Sequence, residues 1–155
     1  MKSLNKTAAA TLEKMFCAAQ SGAVKINCNG PDSGIMAVNV EIIARHESER
    51  AIISVAHYYE QNGDLMRDPD VEFLRTGAGE YWTIAMRQDG IFNINKTFAE
   101  LDSQFNIEKI CPKQQADCAS FCNTWMKNIR WQQSEFFKNG LLQPSAEVVK
   151  VAAAA

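Results

Sequence analysis

The sequence holds only two histidines, His46 and His57, and none of the short motifs that mark common catalytic sites. No G-x-S-x-G places a serine nucleophile, no G-x-x-x-x-G-K-[ST] cradles a phosphate, and no H-E-x-x-H presents zinc ligands on a helix. A surplus of positive charge is missing too. Sixteen Lys and Arg stand against 18 Asp and Glu, a formal net charge of −2. The chain therefore lacks the broad basic field that drives sequence-independent binding to phosphate backbones, and any nucleic-acid contact has to be local. No apolar run is long enough to cross a bilayer. Lys2, Lys6, Glu13 and Lys14 interrupt residues 1–19, so no signal-peptide core is expected there. The expected location is cytoplasmic, away from membranes. The five cysteines are an odd number and, without an export signal, read as reduced thiols rather than a disulfide framework.

What is present is an ordinary globular composition, 46% hydrophobic and 22% charged over 155 residues, enough for one core. We read a single domain over 1–133 and a C-terminal extension over 134–155. The extension ends in a run of alanines, native or left by cloning, that carries no fold information. Ala8, Leu12, Met15, Phe16 and Ala19 share one side at helical spacing, with Ser3 or Asn5 as cap and Gly22 as stop. Strand-like runs follow at 23–28, 35–45, 51–61, 64–73, 80–88 and 91–95, separated by turn residues and by no helix-length segment. Cys118, Phe121, Cys122, Trp125 and Ile129 form a second helical stripe, with Thr124 and Lys127 turned away. Residues 98–112 give no clear element. The expected fold is α+β: an antiparallel meander of five to six strands, one apolar face of which is packed against an N-terminal and a C-terminal amphipathic helix.

The centre of the chain is the stretch Ala51–Phe73, in which Asn62-Gly63 joins two strand-like runs. A two-residue hairpin turn needs positive φ at both positions, which Asn and Gly tolerate best. Register then follows from loop length: Gln61 faces Asp64, Tyr59 faces Met66, Tyr58 faces Arg67 and, if the ladder is unbroken, His57 faces Asp68. The block HYYEQNGDLMRDPDVEF resembles the signature, YEQNGDLM-DP-(D/E), of a bacterial domain family of unknown function carried by plasmids, integrated elements and phages. The runs EYWTIAMRQDG at 80–90 and FCNTWMKNIRWQQ at 121–133 are similar to that family's later strand and closing helix. The likeness covers roughly 7–133. It implies a fold and a mobile-element setting, and no catalytic residues.

Two groups of residues are candidates for chemistry. Asp64, Asp68, Asp70 and Glu72 share a face if alternation holds, and His57, Asp68, Asp70 and Glu72 form the polar cluster an enzyme or metal-dependent ligand binder would use. The plainer account favours a solvated strand face, with Asp68-Pro69 marking a bulge, and a hydrogen-bonded structural histidine. Cys118 and Cys122 sit in the apolar stripe and read as buried thiols, so we expect no metal, no cofactor and no catalytic residues. The second group is Lys127, Arg130 and Trp131, where an indole and two cations lie opposite Trp125. They suit a protein interface or stacking on a nucleic-acid base. The favoured expectation is that Phe136, Phe137, Leu141 and Leu142 fold back over Trp131, because such a tail has apolar surface to bury. The function expected is a small non-enzymatic binding protein acting through protein contacts or self-association, with nucleic-acid binding and metal-dependent catalysis as alternatives.

Overall fold

The computed structural model describes residues 1–91, 93–138 and 148–149. Helix α1 (Lys6–Ala18) starts where Asn5 accepts a hydrogen bond from the Ala8 N–H at 2.9 Å. Six antiparallel strands then lie side by side in chain order. They are β1 (Ala23–Ile26), β2 (Val38–Arg45), β3 (Ala51–Gln61), β4 (Asp64–Arg75), β5 (Tyr81–Gln88) and β6 (Ile94–Thr97). A separate ribbon of β7 (Ala99–Leu101) and β8 (Ile107–Ile110) occupies the stretch that the sequence left unassigned. Helix α2 (Pro112–Gln132) and a short α3 (Ser134–Lys138) follow, and β9 (Val148–Val149) pairs with the free edge of β1. The fold is thus the expected α+β meander with a helix at each end. No helix among the described residues is long and apolar enough to cross a membrane.

Asn62 and Gly63 have φ of 53° and 83° and reverse the chain where the sequence places the turn. Gln61 opposes Asp64, Tyr59 opposes Met66, and Tyr58 opposes Arg67. The next pair is Ala56 with Asp70, so Asp68 and Pro69 together oppose His57. The simple His57–Asp68 pairing is therefore replaced by a bulge, because Pro69 has no N–H to give the ladder and an extra residue accommodates it. The second turn also departs from expectation. Gln88 pairs with Ile94, so residues 89–93 make a longer connection than a tight Asp89-Gly90 turn, and the strand begins at Ile94. Gly90 has φ 112°, which favours glycine, and the Tyr59 hydroxyl lies 3.1 Å from where a Cβ would stand, so a side chain there also has to displace that hydroxyl. Phe92, part of the expected strand over 91–95, lies outside the described residues.

One sheet face carries Val38, Val40, Ile53, Val55, Val71 and Phe73, all fully or almost fully buried against Leu12 and Met15 of α1 and Met126 and Ile129 of α2. Phe136 and Phe137 of α3 join the same core. The sheet is apolar on more than the one face expected. Leu74 and Ile84, with Ile52 and Trp82, pack under the β7–β8 ribbon against Ala99 and Leu101. Trp82 and Ile84 share that face by simple alternation along β5, and a bulge at Ile84, between the pairs Glu72–Ala85 and Phe73–Thr83, shifts the alternation beyond it, so that Met86 faces the helices.

Three polar side chains fasten α1 to the sheet. Arg75 Nε and Nη2 donate to Glu13 at 2.9 and 2.8 Å, and the Tyr81 hydroxyl donates to the same carboxylate. The Arg75 guanidinium also lies 4.5 Å above the Phe16 ring. A bidentate pair with a third donor positions the helix in rotation as well as in distance.

Candidate functional site

The polar hairpin cluster is divided between two sides of the sheet. Asp70 and Glu72 lie on the face away from the helices, cross-strand from Ala56 and Ser54. Asp70 accepts from Ser54 Oγ at 2.6 Å, and Glu72 pairs with Arg87 at 2.7 Å. Arg67 on β4 clasps Asp89 by two side-chain hydrogen bonds of 2.9 Å each. Asp68, in the bulge, accepts from Gln88 Nε2 at 2.8 Å. His57 lies under α2, only 4% exposed, with Nδ1 2.9 Å from the Ala37 carbonyl and its ring edge-on to Trp125. That contact assigns the Nδ1 hydrogen as donor. The structure therefore does not bring His57 together with Asp70 and Glu72. Each carboxylate has its own donor, and no three His, Cys, Asp or Glu side chains among the described residues are grouped to hold a metal ion.

Burial and hydrogen bonding together set the titration of the His57, Asp70 and Glu13 side chains. Burial lowers the His57 pKa from its ordinary 6.5, opposed by the Ala37 carbonyl and the Asp68 charge. The Arg75 hydrogen bond lowers that of Glu13 from 4.5, against an opposing burial effect. For both groups the folded-state value lies below the unfolded one, so each contributes stability above the unfolded value that is lost as pH falls through the folded value. Asp70 has the opposite sign, since burial raises its pKa and that contribution is lost as pH rises. Urea midpoints are thus expected to decline below about pH 6.5 from His57, then again below about pH 4.5 from Glu13. His57→Phe removes the upper step and leaves the lower one. A pH profile unchanged by that substitution refutes the assignment.

Cys118 and Cys122 are buried in the α2 stripe, with the Cys118 sulfur 4.0 Å from Met86 Sδ, as core thiols. Phe121 of the same stripe stacks on Trp125 at 6.0 Å yet is 44% exposed, at the margin of the core.

The second candidate group is brought together. Trp131 is 77% exposed, so the expected cover over it is absent among the described residues. Phe136 and Phe137 turn inward to the core, while Leu141 and Leu142 lie outside the described residues. Trp131, Lys127 and Arg130 line a cleft of about 440 Å³ with Lys14 of α1 and Phe137 and Lys138 of α3. The Arg130 guanidinium is 5.7 Å from the Phe137 ring centre, and its buried Nε has no hydrogen-bond partner among the described residues. Among the described residues no carboxylate lines the cleft, although acids outnumber bases in the chain. Lys14 and Lys138 were missed from sequence because each belongs to another element. The available signal was the position of Lys14, next to the apolar stripe of α1 and turned partly outward.

A family model matches residues 6–135. The chain belongs to the family described as Domain of unknown function (DUF6908). The matched region runs from the start of α1 into α3 and contains Lys14, Lys127, Arg130 and Trp131, while Phe137 and Lys138 lie just beyond it. No curated protein and no solved structure matches the chain.

Proposed function

We propose that this chain is a small non-enzymatic binding module, an accessory protein of a bacterial mobile element, that seats an acidic protein segment in the cleft around Trp131. The observation that carries the reading is an indole 77% exposed among four cationic side chains, with no carboxylate among the described residues of the lining. Water gains nothing from an exposed indole, whereas a partner that covers it desolvates a large apolar surface, and Trp and Arg are the residues most often dominant in interfaces. The cations favour an acidic partner and speed its approach. The mobile-element setting rests on the likeness of the 57–73 block to plasmid- and phage-borne sequences. Nucleic acid offers the same sign of charge, but the net charge of −2 leaves little attraction outside this cleft.

The test installs a photo-crosslinking residue at 127, captures partners from a bacterial lysate with and without nuclease, and measures affinity for whatever protein is recovered. Trp131→Ala is expected to weaken that affinity by about 30-fold or more, and Lys127→Glu by about tenfold with a smaller salt dependence. Capture abolished by nuclease moves the reading to nucleic acid. Affinity indifferent to both substitutions overturns it.

A further inference from the structure

Three sulfur atoms from two elements meet between α2 and the sheet. Cys118 and Cys122 stand about one turn apart on the same side of α2, 6% and 0% exposed, and their thiols are hydrogen-bonded to each other. The third sulfur comes from β5, where Met86 faces the helices and places its Sδ 4.0 Å from Cys118 Sγ. Met86 is partly exposed, so the group lies at the margin of the core, with a short path from water. Cys17, Cys28 and Cys111 stand apart from it, the first and last of them exposed. The spacing of the cysteines alone shows only a buried pair, because the thioether arrives through packing of β5 against α2.

Two thiols joined by a hydrogen bond do not ionise alike. The Cys122 hydrogen bond lowers the Cys118 pKa from its ordinary 9.0, against an opposing burial effect and with help from the Thr83 hydroxyl, while burial raises that of Cys122. The thiolate is the form that ligates metal, and a bound ion deprotonates a thiol outright by taking the place of its proton. Softness selects the ion. Ca²⁺ and Mg²⁺ require oxygen ligands, and structural Zn²⁺ takes four donors, whereas thiolates with a thioether suit Cu(I). With metal–sulfur bonds of about 2.3 Å, three sulfurs in a plane around one ion stand about 4.0 Å apart. Cys118 and Met86 already have that separation, so little movement of either is needed.

We infer that Cys118, Cys122 and Met86 form a binding site for a single Cu(I) ion. On binding, the ion forms one bond to each sulfur and both S–H bonds break. The two protons pass to water, copper keeps its oxidation state, and the complex carries one negative charge. The ion then ties α2 to β5. The site uses none of the residues proposed for the Trp131 cleft, so failure of either reading leaves the other standing.

The test is an anaerobic competition for Cu(I) between a chromogenic chelator and the full-length chain carrying Cys17→Ser, Cys28→Ser and Cys111→Ser, which removes the cysteines outside the group. That chain is expected to hold one Cu(I), to release two protons per ion and to melt at a higher temperature when loaded. X-ray absorption at the copper edge is expected to show three sulfur neighbours at about 2.3 Å. In the same background Cys118→Ala and Cys122→Ala are each expected to abolish retention. Met86→Leu, which keeps the volume, is expected to weaken it about tenfold or more and to leave two sulfur neighbours. Cys118→Ser serves beside Cys118→Ala, and melting curves without copper confirm that each variant is folded. The inference is overturned if the triple-serine chain loses its copper to the chelator, if retention survives Cys122→Ala, or if Met86→Leu changes neither the affinity nor the sulfur count.

Discussion

Trp125→Ala is expected to lower the unfolding free energy by about 3–5 kcal/mol, whereas Trp131→Ala on the same helix is expected to change it by no more than about 0.5 kcal/mol. Trp125 is 6% exposed, stacked on Phe121 at 6.0 Å and edge-on to His57 at 5.5 Å, so it joins α2 to the central hairpin. Its removal leaves a cavity between two rigid elements, and neither the helix nor the bulged strand is free to close it. Trp131 is 77% exposed and has little packing to lose. Urea denaturation of both variants, with the m-value checked for a common unfolded state, reads the contrast directly. For a domain of this size the first substitution corresponds to a fall in melting temperature of about 10 °C. Comparable losses from the two substitutions would show Trp131 to be packed, and would remove the exposed anchor on which the protein-binding proposal stands.

The features legible in the sequence are those set by residues close together in the chain. Asn62-Gly63 dictates a turn by its backbone freedom, and the three pairs beside it follow from geometry alone. The stripes of α1 and α2 are visible because helical spacing is local, and Asn5 serves as cap as its side chain allows. Legibility ends at Pro69. Regular alternation along β3 carries His57, like Ile53 and Val55, to the helix face beneath Trp125, while the extra residue on β4 turns Asp70 and Glu72 to the other face, so the even-numbered acids cease to be one constellation. The β7–β8 ribbon was not legible because its strands are short and gain stability only by covering Leu74 and Ile84 from a distance in sequence. The Trp131 cleft was half legible: its α2 residues show in the helical pattern, while Lys14 and Lys138 arrive through packing of three elements.

Gln115 is the least conspicuous of the structural residues in the sequence and is expected to be among the costliest polar ones to replace. It is fully buried near the start of α2, accepting from the Lys2 N–H at 2.8 Å and donating to the Lys2 carbonyl at 2.8 Å and to Thr83 Oγ1 at 3.2 Å. One amide thus ties the N-terminal segment, β5 and α2 together. Gln133, also fully buried, does the same at the other end of α2, accepting from the Cys28 N–H at 2.9 Å and donating to the Met36 carbonyl at 3.2 Å. Gln115→Met keeps the volume and removes both functions, leaving polar groups of Lys2 and Thr83 without their amide partner. The expected loss is about 2–4 kcal/mol, limited by the freedom of the N-terminal segment to move into water. Gln133→Met is expected to lose about as much, with faster amide exchange at Cys28. Gln115→Glu separates the hydrogen bonds from the volume. The introduced carboxylate retains an acceptor for the Lys2 N–H, but it is fully buried, so desolvation raises its folded-state pKa above the unfolded one. Its ionisation opposes folding, and stability in that variant falls as pH rises through the folded value, opposite in sign to the His57 and Glu13 steps of the parent chain. A Gln115→Glu variant as stable as the parent at pH 7, or one whose stability does not recover toward pH 5, would show that water reaches this amide and that the clamp is not a buried one.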